Sequence, residues 1–210
     1  MTGFDPAFVQ LGYVTADIDA AIDHFTRSAG VSQWLRWSDV AVEKEIDGTI
    51  ARSVLDLAFA WRGSTMLELI RPVSGAVEIY SLRGAEDAPV TLHHIGHGVP
   101  GGEAEFEARL EAMAAAGHPV ALVTRGEMGN YALLDTRATT GLYTEYLWGG
   151  PQGDALFDSI PRNEIFTKLS LEFSGRAPPA VAINGRTTAS PDRRYEPSRM
   201  SVRRLQWLRS

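Results

Sequence analysis

The chain has 210 residues, with 20 Lys+Arg against 26 Asp+Glu and an apolar share of 44%. That share excludes a wholly disordered chain, and the length suits one sizeable domain or two small fused modules. The absence of cysteine excludes a disulfide framework, thiolate-held zinc or iron–sulfur, and a cysteine nucleophile. The net charge of −6 argues against a nucleic-acid-binding body.

From the N-terminus, residues 8–14 read as a short strand. Asp17 then offers a side chain to cap orphan helix amides, and Ile18, Ala21, Ile22 and Phe25 recur at helical spacing up to Gly30. Strand character follows at residues 32–37, 50–60 and 65–70, with Arg62-Gly63-Ser64 as a hairpin turn. Pro72 cannot donate to a ladder, so the last of these strands is expected to stop near Arg71.

The pattern then starts again. Residues 91–99 form a strand-like run, and Gly101-Gly102 opens a helix that presents Phe106, Leu110 and Met113 on one face before Gly117. Strand candidates at 120–125, 131–135 and 142–148 follow, joined by Gly129-Asn130 and by residues 135–140. Each half therefore reads strand, helix, three strands. Two such modules, each too small to bury its own apolar face, would pair around a concave cleft. An α+β fold is expected, either two paired βαβββ modules or a ferredoxin-like domain pair, since element order alone does not choose between them. Its parts are residues 1–75, a linker at 76–90, and residues 91–150. Residues 151–210 form a C-terminal extension. From Arg176 onward it holds eight arginines against Asp192 and Glu196, and contact with the acidic body is the simplest account of that charge.

Four polar residues interrupt otherwise apolar strands. Gln10 and His94 sit on the first strand of each half, Glu68 and Glu145 on the last. Strand alternation puts Leu67 and Leu69 on one face and Glu68 on the other. If all four polar side chains converge, they form an O₃N set for a hard or borderline divalent ion. Without a cation, crowded carboxylates would raise one another's pKa values. By the same alternation His93 faces away from His94, and His97 is off-face unless Gly96 and Gly98 allow a bulge. His24 and His118 read as surface residues.

The run Val9-Gln10-Leu11-Gly12-Tyr13-Val14-Thr15-Ala16-Asp17-Ile18 and the run Leu92-His93-His94-Ile95-Gly96-His97-Gly98-Val99 resemble the module openings of the vicinal oxygen chelate superfamily. Met66-Leu67-Glu68-Leu69-Ile70 and Tyr143-Thr144-Glu145-Tyr146-Leu147 are similar to its metal-bearing last strands. The superfamily includes glyoxalase I, methylmalonyl-CoA epimerase, extradiol dioxygenases and antibiotic-resistance proteins. Among these the sequence resembles the glyoxalase-like group, over about residues 7–149.

The resemblance implies paired βαβββ modules and a metal held by Gln10, Glu68, His94 and Glu145, with zinc, nickel, cobalt, manganese or iron as the ion. It also implies proton abstraction next to a carbonyl of a small organic substrate, by a lyase or isomerase. In this reading Glu145 is the base and Glu68 the fixed ligand. Glu43 or Glu45 would serve as the second base of an epimerase. Arg71, Tyr146, Trp61 and His97 are candidate substrate contacts, and Trp34, Trp37 and Trp148 offer further apolar walls. A non-catalytic binding or resistance protein and a ring-cleaving dioxygenase are the alternatives, the latter disfavoured by Gln10 where a histidine is usual. A homodimer is expected. So is a cytoplasmic location, because no apolar run approaches the roughly 20 residues that cross a membrane and the N-terminus lacks signal-peptide character.

Overall fold

The computed structural model describes residues 9–81 and 88–163. The Arg-rich segment from Arg176 onward lies outside the described residues.

The first half runs β1 (Val9–Val14), α1 (Ile18–Ala29), β2 (Leu35–Ile46), β3 (Thr49–Arg62) and β4 (Thr65–Gly75). The second runs β5 (Thr91–Gly98), α2 (Glu103–Ala115), β6 (Val120–Gly126), β7 (Gly129–Leu134) and β8 (Tyr143–Trp148), with a short helix α3 (Arg137–Thr140) in the last connection. The expected doubling is therefore present. A helix α4 (Pro151–Ser159) and a two-residue strand β9 (Arg162–Asn163) follow. In the sheet the strand order is β2-β6-β7-β8-β5-β1-β4-β3-β9, and β2 also pairs with β3. Glu45 of β2 meets Val123 of β6, so the curved sheet closes on itself. All eight module strands surround one interior within a single chain.

Local chemistry accounts for the helices. The Asp17 carboxylate accepts from the amides of Asp19 and Ala20 at 2.9 and 3.0 Å, which satisfies two orphan donors. Gly30 ends α1 at φ 68°, a left-handed conformation that costs glycine little. Ile18, Ala21 and Phe25 of α1 bury against Ala58, Ala60, Leu67 and Leu69 on the outer sheet face. Phe106 and Leu110 of α2 do the same against Val123, Ala132 and Leu134. Burial of each large side chain contributes about 1.5–3 kcal/mol. A separate cluster fills the interior, including Leu55, Leu57, Phe59, Met66, Ile70 and Leu133.

Two strands differ from the sequence expectation. The strand expected at 32–37 is β2, which begins at Leu35 and runs to Ile46. Its alternating charged residues hid it. The signal for its end is Asp47-Gly48, both at positive φ (49° and 73°), the geometry of a tight type I′ hairpin. Strand β4 continues past Pro72 to Gly75. Val54 pairs with Ser74 and Leu55 with Pro72, so Val73 is an extra bulge residue, the context in which a sheet tolerates proline. The first part of the expected C-terminal extension, α4 and β9, packs on the body. Phe157 and Ile160 pack into the interior cluster, and β9 pairs with β3. The segment expected as a linker contains a 3-10 turn (Glu78–Tyr80) whose Tyr80 is buried.

Candidate metal centre

The middle strands β4, β1, β5 and β8 bring Glu68, Gln10, His94 and Glu145 to one place in the interior. His94 Nε2 lies 3.3 Å from Glu68 Oε2 and 3.3 Å from Glu145 Oε2. Gln10 Nε2 donates to Glu68 Oε2 at 2.6 Å. Ligand atoms of Glu68, His94 and Glu145 all fall within 4.8 Å of one another. The convergence expected from the repeat is thus observed, and no second chain is needed for it.

Two glycines make room. A Cβ on Gly12 would lie 2.0 Å from the His94 ring, and one on Gly96 would lie 2.9 Å from Gln10 Cβ and 3.0 Å from Glu145 Oε2. At both places a side chain would fill the cradle in which the donors meet.

The donors fit a divalent cation on two grounds. Gln10, His94 and Glu145 are 1%, 1% and 5% exposed, and buried polar atoms are nearly always hydrogen-bonded. Gln10 Oε1, His94 Nε2 and Glu145 Oε2 nevertheless have no hydrogen-bond partner. Unpartnered oxygen and imidazole donors around one point make a site for an ion such as zinc, nickel, cobalt, manganese or iron. The electrostatics agree. Burial opposes a charge on His94, yet Glu145 and Glu68 outweigh burial and hold its proton up to about 10. Burial pushes the Glu145 carboxyl up, while His94 pulls against it. A positive charge belongs at this point, as a proton or as a metal ion.

The donors stand in the wall of a cavity of about 570 Å³. Phe59, Leu57, Met66, Tyr131 and Leu147 are among its apolar walls, and the exposed residues Glu43, Glu127 and Met128 mark its outer end. Trp37 and Trp148 also line it. Trp34 instead packs with the α1 cluster.

The sequence-named substrate contacts are not brought to this cavity. Tyr146 follows Glu145 on β8 and so faces outward, where it packs with the α2 cluster under the Arg109 guanidinium, 5.7 Å from its centroid. His97 is exposed, with its ring 6.1 Å from that of Tyr146. The Arg71 Nε donates to Asp56 at 2.8 Å; burial opposes a charge on the Asp56 carboxyl, but the Asp39 amide, donating at 2.9 Å, and Arg71 together hold it below its ordinary range. Trp61 is 7% exposed and donates through Nε1 to the Phe157 carbonyl at 3.2 Å, which fastens α4 to β3. Of the two second-base candidates, Glu43 lines the cavity, whereas Glu45 pairs with Arg125 at 3.2 Å.

Two residues near the site had no assigned part in the sequence reading. Lys44, between Glu43 and Glu45, shares the inward face of β2 with Val42 and is 1% exposed. Its Nζ has no hydrogen bond and lies 4.8 Å from the centroid of Tyr80. Burial lowers its pKa to about 8, although Glu78 opposes the shift. The only sequence signal was a lysine in phase with apolar neighbours. The other residue is His93. Gly12 pairs with His94 but Tyr13 with Leu92, so His93 is the extra residue of a β-bulge and does not face away from His94. The two Nδ1 atoms are 3.0 Å apart. Burial and the neighbouring His94 and Arg137 bring the His93 pKa down to about 4, against a hydrogen bond to Ile79 that favours the proton.

The profile of the Glyoxalase/Bleomycin resistance protein/Dioxygenase superfamily matches residues 9–133, well over half of the chain. The chain belongs to this superfamily. Comparison with curated proteins finds no match. Among solved structures, the chain is similar to a methylmalonyl-CoA epimerase in complex with methylmalonyl-CoA and NH4+, at 17% identity and TM-score 0.45, covering 68% of this chain and 93% of that one. It is also similar to the methylmalonyl-CoA epimerase of Mycobacterium tuberculosis, at 16% identity and TM-score 0.43, covering 70% and 89%. A hypothetical protein from Bacillus halodurans C-125 matches at 19% identity and TM-score 0.43, covering 66% and 90%. No helix among the described residues is long and apolar enough to cross a membrane.

Proposed function

We propose that the protein is a divalent-metal-dependent lyase or isomerase that moves a proton next to a carbonyl of a small organic substrate. The observation that carries this reading is the set of buried, unpartnered donor atoms on Gln10, His94 and Glu145 beside Glu68, opening on a largely apolar cavity. Gln10, Glu68, His94 and Glu145 would hold the ion. When bound, the ion supplies positive charge that stabilises negative charge developing on a substrate oxygen.

The chain's own residues account for the rest. Burial raises the proton affinity of Glu145, which suits a carboxylate that takes a proton from carbon and returns it. Glu68 is tied by the Gln10 amide at 2.6 Å, which suits a fixed ligand. The apolar walls exclude water and orient the hydrocarbon part of the substrate. Glu43, at the outer end of the cavity, is the remaining candidate for a second base if the reaction inverts a carbon centre.

The test is metal analysis of the full-length chain, followed by hydrogen–deuterium exchange at the carbon beside the carbonyl in a panel of 2-oxo and thioester compounds. Stoichiometric metal with exchange lost in Glu145→Gln supports the reading. Stoichiometric metal with oxygen uptake on catechols would favour a dioxygenase. Tight ligand binding with neither metal nor exchange would favour a binding protein, which the breadth of the apolar wall would also suit.

A further inference from the structure

We infer that His93 is a positioning residue that fixes the proton of His94 on Nδ1, so that Nε2 is presented to the cation with its lone pair free. This rests on the metal reading above and adds a partner outside the donor set. The argument follows hydrogen-bond polarity along three groups. His93 Nε2 lies 2.9 Å from the Ile79 carbonyl oxygen. A carbonyl only accepts, so the proton of a neutral His93 must be on Nε2. Its Nδ1 is then a bare acceptor, 3.0 Å from His94 Nδ1. Two bare nitrogens at that distance would repel, so His94 Nδ1 carries the proton and donates it.

What remains on His94 is Nε2, 3.3 Å from one oxygen each of Glu68 and Glu145 and without a hydrogen bond. The backbone carbonyl of Ile79 thereby sets the tautomer of a ring two groups away. The fold builds this relay deliberately into one place. The bulge at residue 93 turns His93 to the same side as His94. The 3-10 turn (Glu78–Tyr80) carries the Ile79 carbonyl to it, and the rings of Tyr80 and Tyr143 pack against the His93 imidazole with centroids at 5.3 and 4.9 Å. The absence of cysteine adds weight, since the site has one nitrogen donor and depends on its orientation.

The experiment compares zinc and cobalt(II) affinity, measured by competition with a chromophoric chelator, in the full-length wild type, His93→Leu and His93→Gln. Leucine removes both hydrogen bonds, and a 10–100-fold loss of affinity is expected. A glutamine amide has an acceptor and a donor, like the neutral imidazole, and is expected to restore affinity to within about threefold of wild type. Nitrogen-15 spectra of the zinc-loaded wild type should show the proton of His93 on Nε2 and that of His94 on Nδ1. This readout decides the matter even if the leucine variant fails to fold. Metal uptake by the wild type with undiminished affinity in His93→Leu, or with the His94 proton on Nε2, overturns this inference alone. A wild type that takes up neither zinc nor cobalt overturns the metal reading and this inference with it.

Discussion

The two modules supply the site unequally. The first contributes Gln10 and Glu68, joined by a 2.6 Å hydrogen bond that ties the Glu68 carboxylate and leaves only Gln10 Oε1 without a partner. The second contributes His94 and Glu145, whose facing atoms have no hydrogen-bond partner, and it alone carries a bulge beside its donor, at His93. The outer parts differ as well: β2 and β3 have 12 and 14 residues, whereas β6 and β7 have 7 and 6. Repetition of a βαβββ unit therefore fixes where four side chains meet. Departures from repetition decide what each contributes: a pre-paired carboxylate from one half, an oriented imidazole and a buried base from the other.

That asymmetry can be broken most sharply in the second module. His94→Ala or Glu145→Ala should reduce zinc affinity at least about 100-fold, read by metal content after dialysis. The matching first-module change, Gln10→Ala, should cost only about tenfold, because its Oε1 is one donor among four. Gly12→Ala reaches across the module boundary: a Cβ 2.0 Å from the His94 ring should displace that ring. The expected result is loss of tight metal binding together with destabilisation of about 1–3 kcal/mol, measured by urea unfolding.

Lys44 sharpens the comparison through stability, since among the described residues of the second module no lysine or arginine is buried. The folded chain releases its proton near 8 and the unfolded chain near 10.5. Between those values the unfolded state binds more protons, so this residue's penalty is full below about pH 8 and gone above about 10.5. The gap corresponds to about 3 kcal/mol. Lys44→Met should therefore be more stable than wild type at pH 7, with the difference shrinking as pH rises. Taking the difference between the two chains cancels the opposite trend from His94, whose raised pKa of about 10 stabilises the fold most at low pH and is lost as pH rises through that value. The smallest effect is expected outside the barrel: Tyr146→Phe and His97→Gln should leave metal affinity and turnover within about twofold, by the same competition and exchange assays.

The legible part of the site followed from alternation. Gln10, Glu68, His94 and Glu145 each interrupt an apolar strand in phase with the inward face, and both modules repeat the placement. The same rule applied one residue further along turns Tyr146 outward, away from the cavity. His93 was not legible, because a bulge depends on the register between β1 and β5 and not on the residues of β5 alone. Lys44 was missed for a related reason. A strand of alternating charge reads as exposed until closure of the sheet between β2 and β6 puts one of its faces inside.

By itself the sequence determined the periods of the elements, the caps at Asp17 and Gly30 and the four inward-facing donors, since these depend on neighbours within a few residues. Only the tertiary structure decided closure of the barrel, continuation of β4 through Pro72, docking of α4 and β9, and the pairing of His93 with His94. Each of these is a contact or a register between distant segments, and its energy does not exist until both partners are in place.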